Sequence, residues 1–196
     1  MKIGICRGLA LATVLLFSGC KFEHPLTSSP SKGINSWLLG VWETKTPEGT
    51  LHQATLTPKS GDRYWVKWKQ IKPGRTTAEA WEGEAWISRV GAASFLTIHV
   101  TSGSEAIQNN PYVFVHFQVL DQNRVRTRIP EFESDASASG FQLRREVRRG
   151  LKSHTLLNGP PLDWTRTSEV YWSGSNEPQP WQPLRNPEKP SQTSRE

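Results

Sequence analysis

Residues 112–129 read YVFVHFQVLDQNRVRTRI. In the first half Val113, Val115, Phe117 and Val119 alternate with His116 and Gln118. In the second half Val125, Thr127 and Ile129 alternate with Arg124, Arg126 and Arg128. Successive side chains of an extended chain point to opposite faces, so a period of two marks a strand with one buried and one wet face. Asp121-Gln122-Asn123 between the two runs has the residue types of a tight turn. The stretch is therefore an antiparallel hairpin, and it needs a further apolar surface to cover its buried side.

The same pattern extends upstream. Phe95–Thr101 sets Leu96, Ile98 and Val100 against Thr97, His99 and Thr101. Arg63–Gln70 sets Tyr64, Val66 and Trp68 against Lys67 and Lys69, with Trp65 out of phase. His52–Thr57, Thr76–Val90 and a first strand at Trp37–Thr44 complete the series, with Gly83 marking a bulge. PKSGD at 58–62 and IKPGR at 71–75 are turns. One segment breaks the period: Leu143, Val147 and Leu151 recur every four residues, predicting a helix capped by Ser134 or Asp135 and running to about Lys152. After Asn158-Gly159-Pro160-Pro161 a last strand spans Leu162–Trp172. With one weak helix and about eight sequential strands, the apolar faces are covered most simply by closing the sheet on itself. The predicted fold is mainly β: a single antiparallel up-and-down β-barrel of about eight strands over residues 36–173, with one α-helix before the last strand.

The chain has 196 residues, enough for one domain with tails, and its nine tryptophans argue for a packed core. Its start, MKIGICRGLALATVLLFSGC, joins Lys2 and Arg7 to an apolar run from Leu9 to Phe17. Nine residues are too few to span a hydrocarbon core of ~30 Å but suit a secretory signal. Phe17-Ser18-Gly19-Cys20 resembles the lipobox of bacterial lipoproteins. The resemblance implies a signal peptide at 1–19, removed on export, and acylation of Cys20 (palmitate among the acyl chains), with several chains giving a stable membrane anchor. Lys21, in place of Asp, favours the outer membrane, facing the periplasm. Loss of the leader removes two positive charges and no acid, taking the formal charge from +6 to +4. Residues 20–35, rich in Pro, Ser and Gly, are expected to form the anchor and a flexible tether, and 174–196 a Pro-rich disordered tail.

Gly40-Val41-Trp42 resembles the Gly-x-Trp signature of lipocalins and related calycin barrels. The resemblance implies a lipocalin-like barrel in which Gly40 and Trp42 help close the floor and Arg166, on the last strand, packs over the indole. The chain departs from the family in lacking a Thr-Asp-Tyr second motif and a disulfide-forming cysteine pair. The whole layout, from lipobox to closing strand, also resembles small uncharacterised bacterial lipoproteins of the cell envelope, which implies location and shape but no activity.

No nucleophile elbow, zinc-protease or phosphate-loop motif occurs. With two cysteines and five histidines at no metal-ligand spacing, no metal and no cofactor are expected. Glu79, Glu82 and Glu84 read as a solvated strand face, and His99 and His116 as surface polar residues on adjacent strands. Arg144, Arg145, Arg148 and Arg149 form a candidate patch for an anionic partner. Trp42, Trp65, Trp68, Trp81 and Trp86 either fill the barrel or line a cavity in it. The expectation is a non-enzymatic, membrane-anchored lipoprotein that binds a small apolar or amphipathic ligand. The alternative is an accessory lipoprotein contacting an envelope protein or anionic surface through its Arg-rich helix. Nucleic acid is not an expected partner of an exported chain.

Overall fold

The computed structural model describes residues 22–74, 78–103 and 111–168. Eight strands follow one another: β1 (Gly40–Lys45), β2 (Leu51–Lys59), β3 (Arg63–Ile71), β4 (Glu79–Val90), β5 (Ala93–Ser102), β6 (Tyr112–Asp121), β7 (Arg124–Arg128) and β8 (Leu162–Ser168). Each pairs antiparallel with its successor, and β8 pairs with β1, so the sheet is a closed up-and-down barrel. One α-helix, α1 (Gly140–Lys152), lies between β7 and β8. The leader at 1–19, Cys20 and the tail at 174–196 lie outside the described residues, as does the C-terminal part of the last expected strand.

Two local differences from the expected elements have plain causes. The first strand starts at Gly40 rather than Trp37, because Ser36–Leu38 form a 3-10 turn. The Asn35 side chain accepts from the Trp37 N–H at 3.0 Å, and the Leu39 N–H donates to the Ser36 carbonyl at 3.1 Å. Gly40 then takes φ +134°, and a Cβ there would stand 2.7 Å from the Ser168 carbonyl oxygen, so the turn into the barrel needs glycine. The helix is capped by Ser139, not Ser134 or Asp135. The Ser139 hydroxyl accepts from the Gln142 N–H while the Gln142 side chain accepts from the Ser139 N–H, a reciprocal capping box. Ser134 is engaged elsewhere, its hydroxyl donating to the buried Glu146 carboxylate.

Two apolar cores hold the molecule. The first is built inside the barrel from the inward side chains of the alternating strands, among them Leu56, Tyr64, Val66, Ile87 and Val100. The second lies outside the barrel on β4–β6 and joins Val90, Phe95 and Phe114 to Leu143 and Val147 of the helix. Phe22 and Leu26, both fully buried, complete it. The stretch 22–35, expected to be a flexible tether, is thus packed along the barrel wall. The Phe22 N–H and C=O each bond to Tyr112 at 3.0 Å, Trp86 Nε1 donates to the Thr27 carbonyl at 3.1 Å, and the Ser31 N–H donates to Ile87 at 2.8 Å. Its Pro and Ser content suits a segment that runs beside a sheet without joining the ladder at every residue.

The register between β4 and β5 shifts at Glu82/Gly83. A Cβ at Gly83 would collide with the His99 carbonyl oxygen and lie 2.9 Å from Val100 Cα, both of them backbone. Gly83→Ala is expected to cost about 1–3 kcal/mol by overpacking. It should lower the urea midpoint at unchanged slope.

Candidate functional site: an apolar cavity in the barrel

The barrel holds a cavity of about 140 Å³. Leu38 of the 3-10 turn and Trp42 of β1 belong to its lining. Val66, Ile98, Val115 and Val125 contribute to the wall, and Trp68, Trp81 and Trp164 add aromatic surface. His52 and Thr127 are the polar residues among the lining. The Thr127 hydroxyl is already committed, accepting from Trp164 Nε1 at 2.8 Å. The space therefore offers dispersion contacts and almost no directed hydrogen bonding, which favours apolar matter over water.

Trp42 is tied to its surroundings by contacts of different kinds. Trp42 Nε1 donates to the Leu38 carbonyl at 2.9 Å, which holds the 3-10 turn across the barrel. The Arg166 guanidinium stands 4.8 Å from the Trp42 ring centroid, within cation–π range. Arg166 also donates to the Trp37 carbonyl at 2.5 Å. Trp42 and Arg166 are register partners where β1 meets β8, so these contacts sit on the seam that closes the sheet. Gly40, Trp42 and Arg166 are brought together here by strand pairing and by the 3-10 turn.

Within the lining, His52, Trp68 and Trp81 form an aromatic cluster. His52 and Trp68 are 5.7 Å apart between centroids, and Trp68 stacks on Trp81 at 5.6 Å. They come from β2, β3 and β4: Trp68 and Trp81 are register partners, and His52 pairs with Gln70, two residues along β3 from Trp68. Burial lowers the His52 pKa below its ordinary 6.5, because a charged imidazole loses its hydration there. His116, on the outer face of β6 against Phe95, is lowered by burial and then by the Arg128 charge. Both rings bind protons less readily folded than unfolded. Their contribution to stability is therefore complete above about pH 6.5 and falls as the pH drops through the lowered folded values. Glu84, Asp121 and Asp163 are held down by hydrogen bonds from Lys59, Arg124 and Arg126, so they titrate below this window. The urea midpoint is expected to decline between pH 7 and pH 5, and the His116→Gln variant to decline less steeply.

The other side chains singled out in the sequence serve packing and pairing. Trp65 and Trp86 lie outside the barrel, Trp65 under Lys59 and Trp86 under Arg63. Glu84 of β4 pairs across β3 with Lys59 of β2, and Glu82 pairs with Lys67 of the neighbouring β3 at 3.1 Å, so these acids tie strands together on the outer face. His99 stacks on Tyr112 at 4.8 Å and His116 meets Phe95 edge-on at 5.5 Å. Since Phe95 pairs with His116 and His99 with Tyr112, the two imidazoles sit at opposite ends of the β5–β6 ladder. Among the described residues no group of three His, Cys, Asp or Glu side chains could hold a metal ion, and no helix is long and apolar enough to cross a membrane. The four arginines of the helix divide. Arg144 donates to the Leu26 carbonyl at 2.8 Å, and Arg149 pairs with Glu133 at 2.7 Å, while Arg145 and Arg148 face solvent. His52 and Trp164 are lining residues that sequence reasoning did not select. The signal for Trp164 was present in the alternation of Leu162, Trp164 and Arg166.

No protein-family model matches the chain, and neither a curated protein nor a solved structure shows significant similarity to it.

Proposed function

We propose that this protein is a non-enzymatic envelope lipoprotein, anchored through Cys20, whose barrel binds a small apolar or amphipathic molecule. The observation that carries the reading is the cavity of about 140 Å³ lined by Trp, Leu, Ile and Val side chains. An apolar cavity of roughly 150 Å³ stays dry and takes up a molecule the size of benzene. The size class is therefore a single ring or a short alkyl segment. A longer amphipath would leave its polar end outside the cavity. The lipobox resemblance at Phe17–Cys20 and the Gly40-Val41-Trp42 resemblance support the location and the kind of barrel.

The test is a titration of the full chain with toluene and with 1-hexanol, following tryptophan emission. Trp68 and Trp81 line the space, so a saturable change is expected from filling it. In the Val115→Phe variant a larger side chain enters the cavity from β6, and the saturable change should disappear while the far-ultraviolet circular dichroism is unaltered. A change that persists in this variant, or that never saturates in the parent, overturns the reading.

A further inference from the structure

The outer face of α1 carries a stripe that neither core uses. Leu143, Glu146, Val147 and Gly150 are its buried residues. At 3.6 residues per turn the opposite face presents Phe141, Arg145, Arg148 and Lys152, spaced by four, three and four positions. All four are exposed, and Phe141 is 65% exposed, a large apolar ring facing water. No carboxylate interrupts the stripe: the helix's acid, Glu146, is buried on the opposite face and accepts from the Glu133 N–H and the Ser134 hydroxyl. The flanking cations are occupied, Arg144 on the Leu26 carbonyl and Arg149 on Glu133. Among the described residues Arg145, Arg148 and Lys152 have no ion-pair partner. A cationic face bearing an aromatic ring has the chemistry of a helix lying in an anionic lipid interface.

The path of the chain places this helix close to the expected anchor. Phe22 is fixed by its two backbone bonds to Tyr112 and by rings of Phe114 and Phe132 at 5.2 and 5.0 Å. The Glu23 N–H donates to the Ala136 carbonyl at 2.9 Å, just before the helix. Cys20 precedes Phe22 by two residues, so backbone length limits their separation to about 7 Å. The first turn of α1 abuts the same segment, with Pro25 against Gly140 and Leu26 held by Arg144. An acyl chain on Cys20 would thus hold the domain on a short leash at the N-terminal end of the cationic stripe.

We propose that α1 docks through Phe141, Arg145, Arg148 and Lys152 on the anionic headgroups of the membrane that holds the anchor, fixing one orientation of the barrel on that surface. This rests on the reading of Cys20 as the lipidated residue. Each basic group near such a surface adds about fivefold to surface affinity, and the anchor removes the need for the helix to bind alone.

The test uses the acylated full-length protein in vesicles of phosphatidylglycerol and phosphatidylcholine with brominated acyl chains. A bimane label is placed at Phe141→Cys or, as control, at Lys45→Cys on β1, across the barrel from β5. Intact mass reports whether the acyl chains are attached. The expected result is quenching at 141 and none at 45, with quenching at 141 lost in Arg145→Glu/Arg148→Glu/Lys152→Glu, whose three sites are exposed and whose fold is checked by far-ultraviolet circular dichroism against the parent. Acylated protein with no quenching at 141, or with equal quenching at both sites, overturns the orientation alone and assigns the stripe to another partner or to solvent. Protein lacking the acyl mass overturns the anchor and the proposal with it.

Discussion

Trp42→Ala is expected to remove about 3–5 kcal/mol of folding stability, the range for truncating a buried aromatic. A domain of this size has ~5–15 kcal/mol in total, so much of the population could unfold at room temperature. Three losses combine at this position. The indole lines the cavity, its N–H holds the Leu38 carbonyl at 2.9 Å, and its face receives the Arg166 guanidinium. The last two join the 3-10 turn and β8 to β1, so the truncation opens the seam of the barrel as well as leaving a void. Trp42→Phe keeps the ring but not the donor and is expected to cost less, with about 1 kcal/mol of the loss coming from the missing hydrogen bond. Urea unfolding followed by far-ultraviolet circular dichroism measures both. A cost below about 1 kcal/mol for the alanine variant would show that the floor is held without this residue.

The barrel was legible because its inner face is mostly apolar, with His52 and Thr127 the polar residues of the cavity lining, while much of its outer face is not. In β7, Val125 and Thr127 face the cavity and Arg126 reaches Asp163 on β8 with two bonds of 2.7 and 2.9 Å, so the alternation is unambiguous. On β4–β6 part of the outer face is buried as well, and there period-two reasoning does not tell a wet side from a covered one. Phe95 and Phe114 point outward yet are 0% and 2% exposed, because the helix and the segment from Phe22 cover them. Ser88 and Thr97 hide in the same layer with their hydroxyls bonded to each other at 2.7 Å, and Thr27 closes the chain of bonds on Ser88 at 2.7 Å. Nothing in a Ser or Thr on a strand announces such a partner.

The misplaced helix start and the expected tether have a shared cause. Acidic residues before a helix suggest its positive end, which drew the expected cap to Ser134 or Asp135. The S-x-x-Q spacing of Ser139 and Gln142 was the more specific signal, since it names a reciprocal pair of bonds. For the tether, composition outweighed two residues. Phe22 and Leu26 stand four apart among Pro and Ser, and their burial is decided by Phe114 and Leu143, more than ninety positions away in sequence. The cavity was open in the sequence for a further reason. Whether Trp68 and Trp81 meet at the barrel axis or leave a space depends on the stacking of the two rings at 5.6 Å, which no local pattern encodes.

Phe22→Ala is expected to cost about 3–5 kcal/mol by the same kind of truncation, but to act on a different part of the molecule. Phe22 is fully buried outside the barrel, stacked on Phe114 and edge-on to Phe132. The interior core contains neither of these rings, so the loss should fall first on the outer layer. Local opening of a weakly held layer can precede global unfolding. The expected sequence of events is release of the segment 22–35 while the eight-stranded ladder persists. Two observations report it. Trp86 loses its cover and its bond to Thr27, so emission shifts to the red. Protease cleavage appears within 22–35 under conditions where the parent chain is intact. A single cooperative transition with no early cleavage would instead show that the two cores fold as one unit. Under the proposed anchoring through Cys20, the same substitution would lengthen the leash from two residues to more than a dozen. Docking through Arg145, Arg148 and Lys152 would then carry the orientation alone, and quenching at position 141 should weaken more steeply with added salt than in the parent, since exposed charges are screened within about 10 Å at 0.1 M.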